Sequence, residues 1–278
     1  MTYTHDDMLA AVERSPAAAG AHDRAAWLAL FTDNAVLEDP VGSRPHQGHA
    51  SIGRFYDAFI DPCNVVFRPD ADIVVGTTVI RDLERTITIT PGVGLNAPAY
   101  LRYDLEPIGG ELKISRLQAF WELPVMLATF MRGGVKSVPA GGRLSLALLS
   151  SQGFGGAAAF VGGIRGVRVP GKQRVEQLLR DVCAGDEVAV RRRLARGTSV
   201  TIGDSVPLGM SGLVDRLRGA RFRKVIASGR HVAAGIEHDH ARGVLIVDME
   251  PKSLRIDRLR YFESPRHEGY TPDSAGLR

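Results

Sequence analysis

The sequence predicts an α+β protein built as tandem cone-shaped domains, each with helices packed on a curved, mostly antiparallel sheet. Three observations carry this. Helical patterning over the first sixty residues gives way to a run of strands up to residue 120, where a doubly wound protein would alternate the two. A similar order returns after residue 173. The charge is divided, with ten Lys/Arg against seventeen Asp/Glu in residues 1–122 and twenty-five against fourteen in 123–278, although the whole chain is only +4.

Thr4 precedes an amphipathic run with Met8, Leu9 and Val12 on one face, and Asp6 and Asp7 suit a helix N-terminus; this helix is expected to stop near Pro16. Ala26, Trp27, Leu30 and Phe31 space a short helix from His22 to Phe31. A strand follows, Asn34 to Glu38, ended by Asp39-Pro40-Val41-Gly42, and Ser51 is placed to cap a third helix from Ile52 to Ile60. Strands are expected from Val65 onward. Thr86-Ile87-Thr88-Ile89-Thr90 alternates strictly, and Tyr100–Leu105 and Leu112–Phe120 flank a Gly109-Gly110 turn. The boundaries expected are a first domain 1–122, a basic helical linker 123–172, a second domain 173–265 and a flexible tail 266–278.

The linker region up to residue 175 has no acidic residue, and its basic ones are Arg132, Lys136, Arg143, Arg165, Arg168, Lys172 and Arg174. Two readings stay open: helices packed between the domains with their cations toward the acidic half, or a segment in peripheral contact with a membrane surface. The second domain repeats the closing strands of the first. Val247-Asp248-Met249-Glu250-Pro251 parallels Tyr103-Asp104-Leu105-Glu106-Pro107, and Leu254–Leu259 parallels Leu112–Leu117. The same alignment puts Ile202, not a carboxylate, where the first domain has Asp39.

Composition excludes several classes. A chain 44% hydrophobic and 24% charged is globular rather than disordered. No apolar run reaches the roughly 18–20 residues of a membrane span. The polar, acidic N-terminus does not read as a signal peptide, and Cys63 and Cys183 are too few for a disulfide framework or a cysteine zinc site, so a cytoplasmic setting is expected. His238-Asp239-His240 reads as a hairpin turn, not a metal site. The segment Gly166–Gln173 has phosphate-loop spacing but ends in Gln, and Pro170 removes a donor from the cradle. Arg191-Arg192-Arg193 lacks stacking aromatics, so no nucleic-acid partner is expected.

Asp39 closes an apolar strand and Asp104 sits within one. A carboxylate so placed is expensive unless paired, hydrogen-bonded or protonated, although a turn cap and a solvent-facing strand residue are the plain alternatives. The run Phe31-Thr32-Asp33-Asn34-Ala35-Val36-Leu37-Glu38-Asp39-Pro40-Val41-Gly42, then Pro45-His46-Gln47-Gly48 and Ile52-Gly53-Arg54-Phe55-Tyr56, resembles the ketosteroid isomerase family of the nuclear transport factor 2-like superfamily, a cystatin-like α+β roll. The stretch from Asp104 to Trp121 has the family's spacing. The resemblance covers residues 1–122 and, faintly, a degenerate second copy at 173–265.

The resemblance implies that Asp39 is a base shuttling a proton within a 3-oxo-Δ5 steroid or similar flat ketone, and that a protonated Asp104 donates to the dienolate oxygen. It implies apolar walls from Phe55, Phe120, Trp121 and Met126. The family's oxyanion tyrosine falls at Ser15, and Tyr56 is the residue expected to substitute. No cofactor or metal is implied, because carboxylates suffice to move the proton. The partners expected are a steroid-like small molecule and an intramolecular pairing of the two domains, with a homodimer as a further possibility. A non-catalytic sterol-binding module, or a polyketide cyclase, dehydratase or epoxide hydrolase on the same fold, are the alternatives. The hydrolase would need Arg85, Arg102 or Arg116 in the pocket, between two aspartates.

Overall fold

The computed structural model describes residues 3–90, 93–122, 166–238 and 241–264. Helix α1 (His5–Gly20) starts at a capping box in which Thr4 and Asp7 satisfy each other's backbone groups. It continues through Pro16, past the stop expected there, because Val12, Ser15 and Ala19 keep facing the core. Helix α2 (Arg24–Ala29), capped by Asp23, ends before Phe31, which opens strand β1 (Phe31–Glu38). After β2 (His46–Gln47), helix α3 (Gly48–Phe55) starts earlier than Ser51 and runs into one wide turn of π type, Tyr56–Ile60. Four long strands complete the unit: β3 (Asn64–Val75), β4 (Thr78–Thr90), β5 (Val93–Ile108) and β6 (Glu111–Phe120).

The strand order is β2-β1-β6-β5-β4-β3, antiparallel except for the parallel pair β1 and β6. Pro69 sits at an irregularity in β3, an edge strand, where a missing N–H costs the ladder least. Alternation gives the sheet two faces. Leu83, Leu101, Tyr103, Leu117 and Ala119 join the interior core under the helices, while Ile80, Tyr100 and Phe120 point the other way.

The second unit has α4 (Arg168–Ala184), α5 (Glu187–Arg193), β7 (Ser199–Ile202), β8 (Val206–Pro207), α6 (Gly209–Leu217), β9 (Arg221–Ser228), β10 (His231–His238), β11 (Ala241–Met249) and β12 (Ile256–Glu263). Its strand order, β8-β7-β12-β11-β10-β9 with β7 and β12 parallel, repeats that of the first. The fold is therefore α+β with two tandem domains of one topology. The glycine-containing 166–173 segment enters helix α4 instead of forming a phosphate loop. Arg191 and Arg193 are occupied by Glu187 and Asp181.

The two sheets pack against each other. Ile80, Tyr100 and Phe120 meet Ile226, Ala233, Ile246 and Phe262 in one apolar layer. Polar groups stitch its margins: Tyr100 Oη donates to the Lys224 carbonyl, Ser228 Oγ to the Val41 carbonyl, and Lys224 Nζ lies 2.5 Å from Asp82. Glu122 accepts from Lys172 and from the Ala227 N–H. Acidic groups of the first domain thus meet basic groups of the second, so part of the charge division in the sequence is resolved at this contact.

A chain of ion pairs crosses the layer: Asp104, Arg102, Asp204, Arg260, Asp248 and His231. Hydrogen bonds from His231 and charge from Arg260 outweigh desolvation and hold Asp248 down at about 2. A depressed carboxylate stabilises the fold above its unfolded value near 4, and that contribution is lost as pH falls toward 2. Acid is therefore expected to remove roughly 2–3 kcal/mol through this group alone. Urea unfolding between pH 6 and pH 2 checks it: the slope should flatten in Asp248→Asn, and an unchanged slope would refute the assignment.

Candidate active site

A cavity of about 140 Å³ lies inside the first cone, between α1, α2, the π turn and the inner face of the sheet. Its walls are apolar: Leu37, Phe55, Phe59, Leu101, Leu117 and Ala119 among them. Both tryptophans of the chain, Trp27 and Trp121, line it.

Asp39 is the carboxylate among the described lining residues, placed by the end of β1. Trp121 Nε1, beyond the end of β6, donates to Asp39 Oδ1 at 2.5 Å. Arg85, from the middle of β4, sets Nη1 3.6 Å from Asp39 Oδ2, and its guanidinium lies 4.5 Å over the Trp121 ring. The Arg85 side chain is only 7% exposed, and burial lowers its pKa while Asp39 opposes that. Arg85 Nε and Nη2 are buried without a hydrogen-bond partner. Across the cavity, Ser15 Oγ accepts from Trp27 Nε1 at 3.2 Å. Burial pushes the Tyr103 phenol up to about 12, so it is protonated at neutral pH.

Of the residues expected from the sequence, Asp39, Ser15, Phe55 and Trp121 line this cavity. Asp104 does not. It shares the outward parity of Tyr100 and Arg102 on β5, and Arg102 Nε and Nη2 each donate to it at 3.0 Å. A carboxylate held in that ion pair on the far side of the sheet is no donor to a ligand of Asp39. Phe120 also points outward, packing edge-on to His231 in the layer between the domains. Met126 lies outside the described residues, as do Asp239, His240, most of the linker and the tail.

Tyr56 is fully buried but does not line the cavity. Its ring lies 5.3 Å from Trp27 and its hydroxyl has no partner. It is therefore not the substitute for the missing tyrosine. Tyr56→Phe is expected to leave stability unchanged or raise it by up to ~1 kcal/mol, since an unsatisfied buried hydroxyl is removed. Thermal unfolding checks this, and a loss above that size would mean that the hydroxyl has a partner.

Tyr103 is a lining residue that sequence reasoning does not reach, and Arg85 enters that reasoning only as one of three arginines that a hydrolase would need. The signal was alternation: Leu83, Arg85 and Ile87 share the inner face of β4, and a cation on that face is anomalous. Arg102 and Arg116 pair with Asp104 on the outer side. Among the described residues the hydrolase pattern is therefore half present, with one aspartate beside one arginine. No group of three or more metal-ligating side chains occurs among them. No helix among them is long and apolar enough to cross a membrane.

In the second domain, Val200 stands opposite Leu259 as Leu37 stands opposite Leu117, so Ile202 takes the place of Asp39. Leu245, Val247, Met249 and Tyr261 fill its interior.

Residues 12–111 match the SnoaL-like domain family. Solved structures similar to the chain include a Δ5-3-ketosteroid isomerase from Mycobacterium sp., 24% identical over 42% of this chain and 95% of that one, at a TM-score of 0.39. A Mycobacterium tuberculosis protein in complex with estradiol-17β-hemisuccinate is 22% identical over 42% and 95%, at 0.38. An LEH-like epoxide hydrolase of M. tuberculosis is 16% identical over 49% and 97%, at 0.41.

Proposed function

We propose that the first domain moves a proton within a flat, apolar ketone, with Asp39 as the base. The observation that carries this is the composition of the cavity: one carboxylate, held by a tryptophan N–H and faced by one arginine, among apolar walls. Such a carboxylate can take a proton from carbon and return it to another carbon without water competing for it. Size bears on the ligand. A dry cavity of ~150 Å³ holds one benzene ring, so the ~140 Å³ here encloses one ring of the ligand. A steroid would project its remaining rings from the mouth.

The test follows a β,γ-unsaturated ketone becoming conjugated, using cyclohex-3-enone and a 3-oxo-Δ5 steroid side by side. Turnover that falls ~10²–10⁴-fold in Asp39→Asn is expected. Turnover indifferent to that substitution would sink the reading. Binding that quenches tryptophan fluorescence without any turnover would favour the sterol-binding module instead.

A further inference from the structure

Arg85 is a buried cation whose electrostatic and hydrogen-bonding needs the protein leaves half met. Its one facing carboxylate oxygen, Asp39 Oδ2, is 3.6 Å from Nη1, longer than a hydrogen bond, and Nε and Nη2 have no acceptor. Both nitrogens are closed to a molecule the size of water, so an acceptor reaches them only if the guanidinium turns; Nη1, which faces Asp39, is not among the sealed atoms. An unpaired buried donor is costly, and a charged one more so. Arg85 lines the cavity beside the base.

We infer that Arg85 binds the carbonyl oxygen of the substrate and holds the enolate that forms when Asp39 takes the neighbouring proton. This rests on the proton-transfer reading above. The charge count supports it. Before the step, Asp39 carries the negative charge and faces Arg85. The α C–H bond breaks, its proton goes to an Asp39 oxygen, and its electron pair becomes a C=C bond as the carbonyl π pair moves onto oxygen. The negative charge has then passed from Asp39 to the substrate oxygen, and the same guanidinium pairs it. Asp39 returns its proton to a different carbon of the conjugated enolate, and the initial charges are restored. The site stays neutral throughout, which matters in an apolar cavity where a net charge is expensive. An α-hydrogen and its carbonyl oxygen are neighbours on the substrate, so a base and an oxyanion partner side by side suit them. Tyr103 is less suited, because its protonated phenol carries no charge to pair with the enolate.

The experiment uses 4-nitrophenol, a one-ring enolate mimic whose phenolate is coloured, with the full chain. Below the pH at which the free phenol ionises, wild type is expected to show the phenolate band on binding, its proton passing to Asp39. Asp39→Asn should bind the phenolate at least ~10-fold more tightly, since a competing charge is gone. Arg85→Met should lose the phenolate band, whereas Arg85→Lys should keep part of it. In turnover, Arg85→Met should cost ~10²–10³ in kcat with little change in KM, and Tyr103→Phe far less. A wild type that shows no phenolate band, or binds no phenol at all, overturns the inference without any variant. So does a band that persists in Arg85→Met. Turnover indifferent to Asp39→Asn, together with an Arg85-dependent band, would remove the isomerase reading and leave Arg85 as an oxyanion receptor.

Discussion

Gly229→Val is expected to destabilise the protein by roughly 3–5 kcal/mol, combining overpacking with a β-branched residue at a left-handed backbone position. The reason lies in the layer between the two sheets. Gly229 sits at φ +57 in the turn between β9 and β10, and a side chain there would place Cβ 2.5 Å from Gly42 Cα and 3.1 Å from the Val41 carbonyl. Gly42 meets the reciprocal obstacle, its Cβ position lying 2.3 Å from Gly229 Cα. A Cβ on Gly166 would come closer still, 2.0 Å from the Gly229 carbonyl oxygen. Backbone therefore touches backbone between the domains, next to the Ser228 hydrogen bond to Val41. Gly109→Val is the control: φ is +59 there, close to the +57 of Gly229, but a Cβ meets nothing within 4 Å. Both variants carry the backbone strain, and the difference in their urea midpoints isolates the clash. Equal midpoints would mean that the sheets can part without cost at this point.

Much of the architecture was legible because its signals are local. The Thr4 cap, the Gly109-Gly110 turn and the strict alternation of Thr86–Thr90 each report on a few neighbouring residues, and the repeated closing strands exposed the second domain. The errors arose where tertiary packing overrode local chemistry. Pro16 did not end α1, because the buried Ser15 and Ala19 hold the next turn to the core. The site was half legible. Asp39, Phe55 and Trp121, which a motif of fixed spacing singles out, line the cavity. Asp104 and Phe120 were misplaced by one position of parity: Tyr103 and Ala119 face in, so their neighbours face out. Strand alternation assigns residues to two sets but not which set is inner, and here both faces are apolar because a second sheet covers the outer one. Asp104, the oxyanion donor that the resemblance implies, pairs instead with Arg102, which reaches Asp204 of the second domain.

The same cavity that would hold a ligand is also a defect in packing, which gives a second large effect with two opposite signs. Ala119→Leu is expected to abolish ligand binding and to stabilise the free protein. Ala119 is 1% exposed on the inner face of β6, opposite Leu101 and one residue before Phe120, with its side chain on the cavity wall. Three added carbons would project into the ~140 Å³ of empty space rather than into neighbouring atoms. Filling apolar space recovers ~24 cal/mol per Å³ of cavity, so a gain of ~1–2 kcal/mol remains after partial misfit. A ring-sized ligand would lose its place, with affinity falling at least ~100-fold. Quenching of Trp27 and Trp121 by 4-nitrophenol reads the first effect and thermal unfolding the second. Stabilisation with binding intact would place the ligand elsewhere, and destabilisation would mean that the wall cannot yield to a branched side chain.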